Sequence, residues 1–132
     1  MTESEQAAAI LAAINAAIQP GATAYEPSKV PGANGNEGSE PTRYVTVDLT
    51  RRYTSSRRAS GVVTLPGRYL TTRYLAKNEA DVRNLRRLVT GALEDQILTS
   101  PAGEIGPFIF DTEKNYPMDE GYVVSDDVWT FC

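Results

Sequence analysis

The spacing of apolar residues changes its period along this chain, and that change sets the order of the elements. Residues 3–18 carry aliphatic side chains at helical spacing, and residues 43–49 alternate polar and apolar side chains as a half-buried strand does. The helical period returns after Asn78 and then gives way to short apolar runs. The pattern therefore predicts a helix, a group of strands, a second helix and a final pair of strands.

The first predicted helix has sequence signals at both of its ends. Thr2 and Glu5 have the spacing of a capping box, in which each side chain satisfies an amide of the other residue. Pro20 and Gly21 stop the apolar stripe soon after residue 18. We therefore expect one amphipathic helix over residues 3–18.

The second predicted helix begins after Asn78, which is a favourable N-cap. Its apolar stripe runs from Val82 to Ile97. Gly91 lies inside it and costs about 1 kcal/mol relative to alanine. That glycine indicates either the close approach of another backbone or simple tolerance.

Runs of β-branched and aromatic residues predict the strands. The runs are residues 43–49, 61–65, 68–76, 105–111 and 122–131. Residues 68–76 fit either a bent continuation of the run before them or a third strand. We interpret residues 113–121 as an acidic turn and expect residues 125–127 to interrupt the last strand. Because the strands come in hairpins, the economical fold is α+β, an antiparallel four- to five-stranded sheet with two helices packed on one face.

Residues 20–42 are rich in proline and glycine and poor in aliphatic side chains. Such a composition does not repay its ordering entropy locally, so we expect a long, exposed and flexible loop after the first helix. A loop of this length is often functional or folds against a partner, and a tolerated surface insertion explains it equally well. The chain as a whole, residues 1–132, has the length of one domain.

Charge is segregated along the chain. Residues 43–87 hold eleven basic side chains and three acidic ones, a net charge of +8, and residues 94–132 hold nine acids and one lysine, a net charge of −8. Opposite blocks favour contacts between copies of the chain or with other partners over chemistry on a small molecule. The same blocks also fit pairing within one chain across the sheet.

The charged residues at the predicted strand ends are therefore the candidates for an interface with another subunit or partner. Most of the basic ones are arginines, whose planar guanidinium pairs well with carboxylates. The candidates are Arg51, Arg52, Tyr53, Arg57, Arg58, Asp111, Glu113, Asp119, Glu120, Asp126 and Asp127. The basic group also fits a grip on a phosphate backbone with Tyr53 stacking on a base, or an idle solvated loop. A pI of about 4.8 argues against a nucleic-acid domain.

Several chemical functions are excluded or disfavoured by composition. The chain has no histidine, which excludes His-dependent triads and His-ligated zinc. Its single cysteine, Cys132, is the last residue, so no intrachain disulfide is possible and a nucleophilic role is disfavoured. The acids match no calcium-loop spacing, and no phosphate loop joins a strand to a helix. The alanine-rich run near the start is far shorter than the roughly 20 apolar residues that span a bilayer. We expect a soluble protein that is not an enzyme and has no metal, cofactor or membrane contact.

Residues 65–93, with the sequence LPGRYLTTRYLAKNEADVRNLRRLVTGAL, resemble the middle of the tail terminator (tail completion) proteins of long-tailed bacteriophages. The order of elements is also similar to that family: an alanine-rich helix, a variable loop, a strand pair with a basic tip, an extended strand, a central helix and a final hairpin. The similarity covers about residues 43–131 and the first helix. The long loop at residues 20–42 departs from it.

The resemblance implies a structural virion protein that forms a ring, usually a hexamer, at the head–tail junction. Such a ring caps the tail tube, stops its elongation and joins it to the head connector, while genomic DNA passes through without sequence-specific binding. The implied partners are other copies of the chain, the tail tube protein and the connector (stopper) protein, with assembly in the host cytoplasm. A head-completion or connector subunit of the neck is the first alternative, and a DNA-binding accessory protein is the second.

The charge pattern predicts self-association that weakens with salt. Exposed complementary charges are screened when the Debye length falls from about 10 Å at 0.1 M to about 3 Å at 1 M salt. Sedimentation of the pure chain at both salt concentrations measures this effect. A chain that stays monomeric at both, at high protein concentration, contradicts charge-assisted association.

Overall fold

The computed structural model describes residues 2–33, 35–51, 68–119 and 121–131. Two helices, seven strands and one short 3-10 helix, Pro27–Lys29, lie within these ranges. In chain order the helices and strands are α1 (Glu3–Ile18), β1 (Thr23–Tyr25), β2 (Arg43–Arg51), β3 (Arg68–Ala76), α2 (Glu79–Leu93), β4 (Leu98–Ser100), β5 (Gly103–Ile105), β6 (Ile109–Asp119) and β7 (Tyr122–Phe131).

The main sheet has five strands in the order β1-β2-β3-β7-β6. β1 pairs with β2 in parallel, and the other neighbours are antiparallel, so the sheet is mixed. β4 and β5 form a separate two-stranded hairpin. Both helices pack on the same side of the sheet, as predicted, with α1 against β1 and β2 and α2 against β2, β3 and β7. The fold is therefore α+β.

The helices form where the sequence signals predict them. The capping box of Thr2 and Glu5 is present at the start of α1, and Asn78 accepts a hydrogen bond from the Asp81 amide at the start of α2. The apolar stripes of both helices meet the inner face of the sheet. Their buried members are Ile10, Ile14 and Ile18 in α1 and Val82, Leu85, Val89 and Leu93 in α2.

Gly91 in α2 was predicted to mark either the close approach of another backbone or simple tolerance. Among the described residues, a Cβ added at Gly91 would meet no atom within 4 Å outside its own helix and its chain neighbours. No other backbone of the described residues approaches this position closely. The helix tolerates Gly91, and close packing does not require it.

α2 ends earlier than the sequence predicts. The predicted stripe reached Ile97, whereas the helix ends at Leu93 and Ile97 is 56% exposed. The backbone turns at Asp95, which has a positive φ of 57° and donates its amide proton to the carbonyl of Phe108 over 3.0 Å. The residues after α2 therefore run beside Phe108 and do not continue the helix.

β6 and β7 form one long hairpin, and two predictions about it are wrong. Residues 113–121 were expected to be an acidic turn, but β6 continues to Asp119 because it stays paired with β7. Residues 125–127 were expected to interrupt the last strand, but β7 is continuous. The polar residues stay in the strand because the fold gives each of them a partner. The run predicted at residues 105–111 is divided between β5 and β6.

The predictions before α2 have different outcomes. Residues 43–49 and 68–76 are strands β2 and β3, as predicted. β3 pairs with β2 along its full length, from Arg43 opposite Ala76 to Arg51 opposite Arg68. The predicted strand at residues 61–65 and the basic tip before it lie outside the described residues.

Residues 20–42 contain β1 and the short 3-10 helix, and some of their side chains are buried. Ala22 and Ala24 join the main core, and the Ala24 amide donates to the side chain of Asn15 in α1 over 2.8 Å. Val30 lies in a second cluster on the other face of the sheet with Tyr44 and Tyr122. The sequence missed these contacts because each depends on a partner outside the segment. Its flexibility stays a prediction.

The second half of this segment lies against the sheet face that the helices leave open. Tyr44 donates its hydroxyl proton to Glu40 over 2.6 Å, and Tyr122 donates to the carbonyl of Pro41. Burial, followed by the hydrogen bond to Glu40, raises the pKa of the Tyr44 hydroxyl, which keeps it protonated as a donor. The side-chain amide of Asn36 donates to two backbone carbonyls, those of Ser28 and Val30, each over 2.9 Å.

Gly32 and Gly35 test whether this segment is closely packed. Both have positive φ, 75° and 78°, but a Cβ at Gly32 would lie 2.4 Å from the amide nitrogen of Glu40, whereas one at Gly35 would meet nothing within 4 Å. We expect Gly35→Ala to lower the free energy of unfolding by about 1–2 kcal/mol through the left-handed backbone alone. Gly32→Ala should lower it further, as measured by urea unfolding. Equal effects of the two variants would contradict the close approach.

Candidate subunit interface

β6 is an edge strand that the helices leave uncovered. It has β7 on one side and, among the described residues, no strand on the other. α2 packs on β2, β3 and β7, and a cavity of about 270 Å³ lies between its first half and the β6–β7 hairpin. Every side chain from residue 109 to residue 115 is exposed. An edge strand of this length presents a row of backbone donors and acceptors that are free to pair with another chain.

Three large apolar side chains of this strand are exposed to solvent. Ile109 is 48% exposed, Phe110 is 43% exposed and Met118 is 65% exposed. Phe110 packs edge-on against the buried Trp129 with ring centroids 5.6 Å apart, which holds its ring in place at the surface. Exposed apolar groups on a strand edge are typical of a surface that another protein covers.

Three of the predicted interface residues, Asp111, Glu113 and Asp119, lie on this strand. Asp111 and Glu113 are exposed between the apolar residues, and Glu113 is 3.7 Å from the guanidinium of Arg86. Asp119 is the last residue of the strand, and Glu120 lies outside the described residues. The strand therefore combines acidic and apolar side chains along one free edge. We call residues 109–119 the β6 edge.

Sequence reasoning missed the apolar part of the β6 edge. Ile109 and Phe110 are adjacent, and the next five residues are all polar, so the run has none of the alternation that marks a half-buried strand. That lack of alternation was the available signal. It fits a strand that is exposed on both faces.

Asp126 and Asp127 were predicted to lie at the interface, but both are buried inside the chain, at 5% and 1% exposure. They are adjacent in β7 and so point to opposite faces of the sheet. Each has an arginine of the same chain as its partner, Arg73 for Asp126 and Arg86 for Asp127. Both ion pairs join residues that are far apart in the sequence, so the acidic run alone does not reveal them.

Asp126 and Arg73 pair on the face that the helices leave open. The guanidinium of Arg73 donates two hydrogen bonds to the carboxylate, over 2.8 and 3.1 Å. Tyr116 of β6 donates its hydroxyl proton to the same carboxylate over 2.9 Å, and Arg73 lies 5.2 Å from the centre of its ring. Hydrogen bonding to Asp126 raises the pKa of Arg73. This group ties β6, β7 and β3 together.

Asp127 lies in a buried network on the helix face. Tyr74 donates its hydroxyl proton to the carboxylate over 2.8 Å, and the Nε of Arg86 in α2 donates to it over 3.2 Å. Thr72 donates to the Tyr74 oxygen over 2.8 Å, since Tyr74 already donates its own proton, and Trp129 donates its ring N–H to Thr72 over 3.2 Å. The network therefore joins α2 to β3 and β7.

Burial dominates the ionisation of this network. It raises the pKa of the Asp127 carboxyl above its ordinary value, against the opposing effects of Tyr74 and Arg86. Burial, together with the charge of Asp127, also raises the pKa of the Tyr74 hydroxyl. Within the described chain, one carboxylate oxygen of Asp127 and the Nη2 of Arg86 are buried without a hydrogen-bond partner.

The basic candidates are only partly described. Arg51 ends β2 and its backbone pairs with that of Arg68, at the end of the sheet where β6 begins. Arg52, Tyr53, Arg57 and Arg58 lie outside the described residues. Among the described residues, three contacts join the basic and acidic blocks within one chain: Arg73 to Asp126, and Arg86 to Asp127 and Glu113. Part of the charge pattern therefore reflects pairing within the chain.

Two further findings concern the described residues. They contain no group of three or more acidic or cysteine side chains placed to hold a metal ion. Neither α1 nor α2 is both long and apolar enough to cross a membrane.

Comparison with known proteins gives a fold likeness. No family model matches the chain, and no curated protein matches its sequence. Among solved structures, a chain in the virion of a native gene transfer agent (GTA) particle is similar, with a TM-score of 0.56 and 15% identity over 89% of this chain and 81% of that one. A second match, a chain in the tail of an empty GTA particle, covers 67% of this chain and 75% of that one at 14% identity. Its TM-score of 0.30 is too low to indicate a shared fold. The chain shares its fold with a chain of a GTA virion.

Thr72 tests the buried network. Thr72→Val keeps the shape of the side chain but removes the acceptor of Trp129 and the donor to Tyr74, so we expect the free energy of unfolding to fall by about 1–3 kcal/mol. Thr71→Val is the matched control, because Thr71 points to the opposite face and is half-buried. Urea unfolding of both variants measures the difference. Equal effects would mean that the network contributes nothing specific to stability.

Proposed function

We propose that the chain is a structural subunit of a phage-like virion, part of the tail. The fold likeness to a GTA virion chain over 89% of the residues supports this proposal. The resemblance of residues 65–93 to the phage tail terminators, found independently in the sequence, supports the same class. A structural role needs no catalytic group, which agrees with a chain that has no histidine.

The specific role we propose is that of a tail terminator. Copies of the chain form a ring, of six subunits by the resemblance, that covers the last ring of the tail tube, stops elongation and joins the tube to the head connector. The ring stands at the head–tail junction, and genomic DNA passes through it without sequence-specific binding. Residues 1–132 then form one tail-terminator-like domain with a flexible loop at residues 20–42.

The β6 edge is the observation that carries this role. A cap must bind the tube on a preformed surface, and the β6 edge offers free backbone groups, three exposed apolar side chains and the acids Asp111 and Glu113. We assign this edge to the tail tube. The basic residues Arg51, Arg52, Arg57 and Arg58, with Tyr53, form the second contact, between subunits of the ring.

Disruption of the gene tests the proposal. In a particle-producing strain that carries a disrupted copy, we expect tails that are abnormally long or fail to join filled heads, while capsids and packaged DNA remain normal. Electron microscopy of the particles measures tail length and attachment. Attached tails of normal length would rule out the terminator role, and empty or leaking heads would favour the connector alternative.

Complementation of that strain tests the β6 edge. A wild-type copy should restore normal tails, and a copy with Ile109→Ser and Asp111→Arg should not, since it loses apolar area and reverses a charge on the free edge. Ala12→Arg with Ala16→Arg is the control, because it changes the net charge equally at exposed positions of α1. Failure of the control as well would show that the change of charge alone disrupts assembly.

A further inference from the structure

β1 is shorter than the strand it pairs with, so half of β2 has a free edge. β1 pairs only with residues 44–46. Residues 47–51 have β3 on one side and, within the described chain, no strand on the other. Their outward backbone groups are available to an incoming extended segment.

A groove lies beside this free edge. After β1 the chain turns away into the 3-10 helix Pro27–Lys29, and the first turns of α1 stand opposite, which leaves a groove of about 530 Å³ beside Val47, Asp48 and Leu49. Ala7 of α1 adds an apolar contact to the wall. An extended segment in this groove would continue the line of β1 and pair with β2.

The groove is acidic. Glu3, Glu26 and Asp48 line it, and no lysine or arginine of the described chain does so. Arg68 pairs with Glu3 over 3.1 Å, whereas Glu26 and Asp48 make no ion pair with any described residue. Two carboxylates therefore remain to be neutralised, and the groove selects a segment that is extended and basic.

We propose that this groove binds residues 52–58 of a neighbouring copy of the chain. The proposal rests on the ring assembly proposed above and names its contact. Residues 52–58 carry Arg52, Arg57 and Arg58 and no acid, and no acidic residue occurs between Asp48 and Glu79. Each subunit thus gives a basic segment and receives one, as a closed head-to-tail ring requires.

The β6 edge does not fit the same groove. Asp111 and Glu113 of a neighbouring copy would meet Glu26 and Asp48, and like charges brought together in an interface are unfavourable. The basic segment and the β6 edge therefore bind different surfaces. The ring contact leaves the β6 edge free for another protein.

Reciprocal charge reversal tests the proposal. The groove variant carries Glu26→Arg and Asp48→Arg; Glu26 makes no capping hydrogen bond and Asp48 is exposed, so the fold should remain. The segment variant carries Arg57→Glu and Arg58→Glu. Each variant alone should self-associate at least about tenfold more weakly than the wild type, and the equimolar mixture should recover association, since every contact in it is again between opposite charges.

Sedimentation and native mass spectrometry of the two variants and their mixture give the readout, with circular dichroism to confirm folding. A mixture of folded variants that does not recover overturns the proposal. So does a chain with all four reversals that regains the melting temperature of the wild type while the mixture stays monomeric, because that result places the segment in the groove of its own chain.

A peptide of residues 51–58 gives a second measurement that does not depend on ring formation. It should bind the wild-type chain and bind the groove variant at least about tenfold more weakly, as measured by fluorescence anisotropy at low salt. Absence of both peptide binding and self-association in the wild type overturns the proposal. Recovery in the mixture with normal tails in the disrupted strain would keep this contact and remove only the tail-terminator role.

Discussion

Two adjacent carboxylates in the middle of β7 determine which side chains pack around that strand. Because neighbouring residues of a strand face opposite sides, Asp126 and Asp127 each need a cation on their own side. β3 provides Arg73 on one face, and α2 provides Arg86 on the other. A buried charge without its partner is strongly destabilising, so these pairs fix the register of β3 against β7 and the position of α2 above them.

The range of each signal explains what the sequence could predict. Caps and apolar stripes act within a few residues, so Thr2 and Asn78 marked the helix starts correctly. The end of α2 depends on a backbone contact between Asp95 and Phe108, and the continuity of β7 depends on arginines about 40 and 50 residues away in the chain. A local sequence pattern contains no information about these distant contacts. The end of α2 and the continuity of β7 were therefore predicted wrongly.

The same limit applies to the predicted interface residues. Charge alone marked Asp111 and Asp127 equally, although one is exposed on an edge strand and the other is buried in the core. The exposure of Ile109 and Phe110 follows from where the helices cease to cover the sheet, which depends on the packing of α1 against α2. An acidic run therefore has two physical meanings, an internal partner or an external one, and tertiary structure separates them.

The unequal lengths of the two sheet edges also limit how copies can polymerise. β6 has eleven residues, whereas the opposite edge is divided between the three residues of β1 and residues 47–51 of β2, which lie beyond the end of β1. Copies stacked edge to edge would leave much of β6 unmatched, and Pro117 lacks an amide proton with which to extend such a fibre. This mismatch disfavours amyloid-like growth of copies stacked edge to edge.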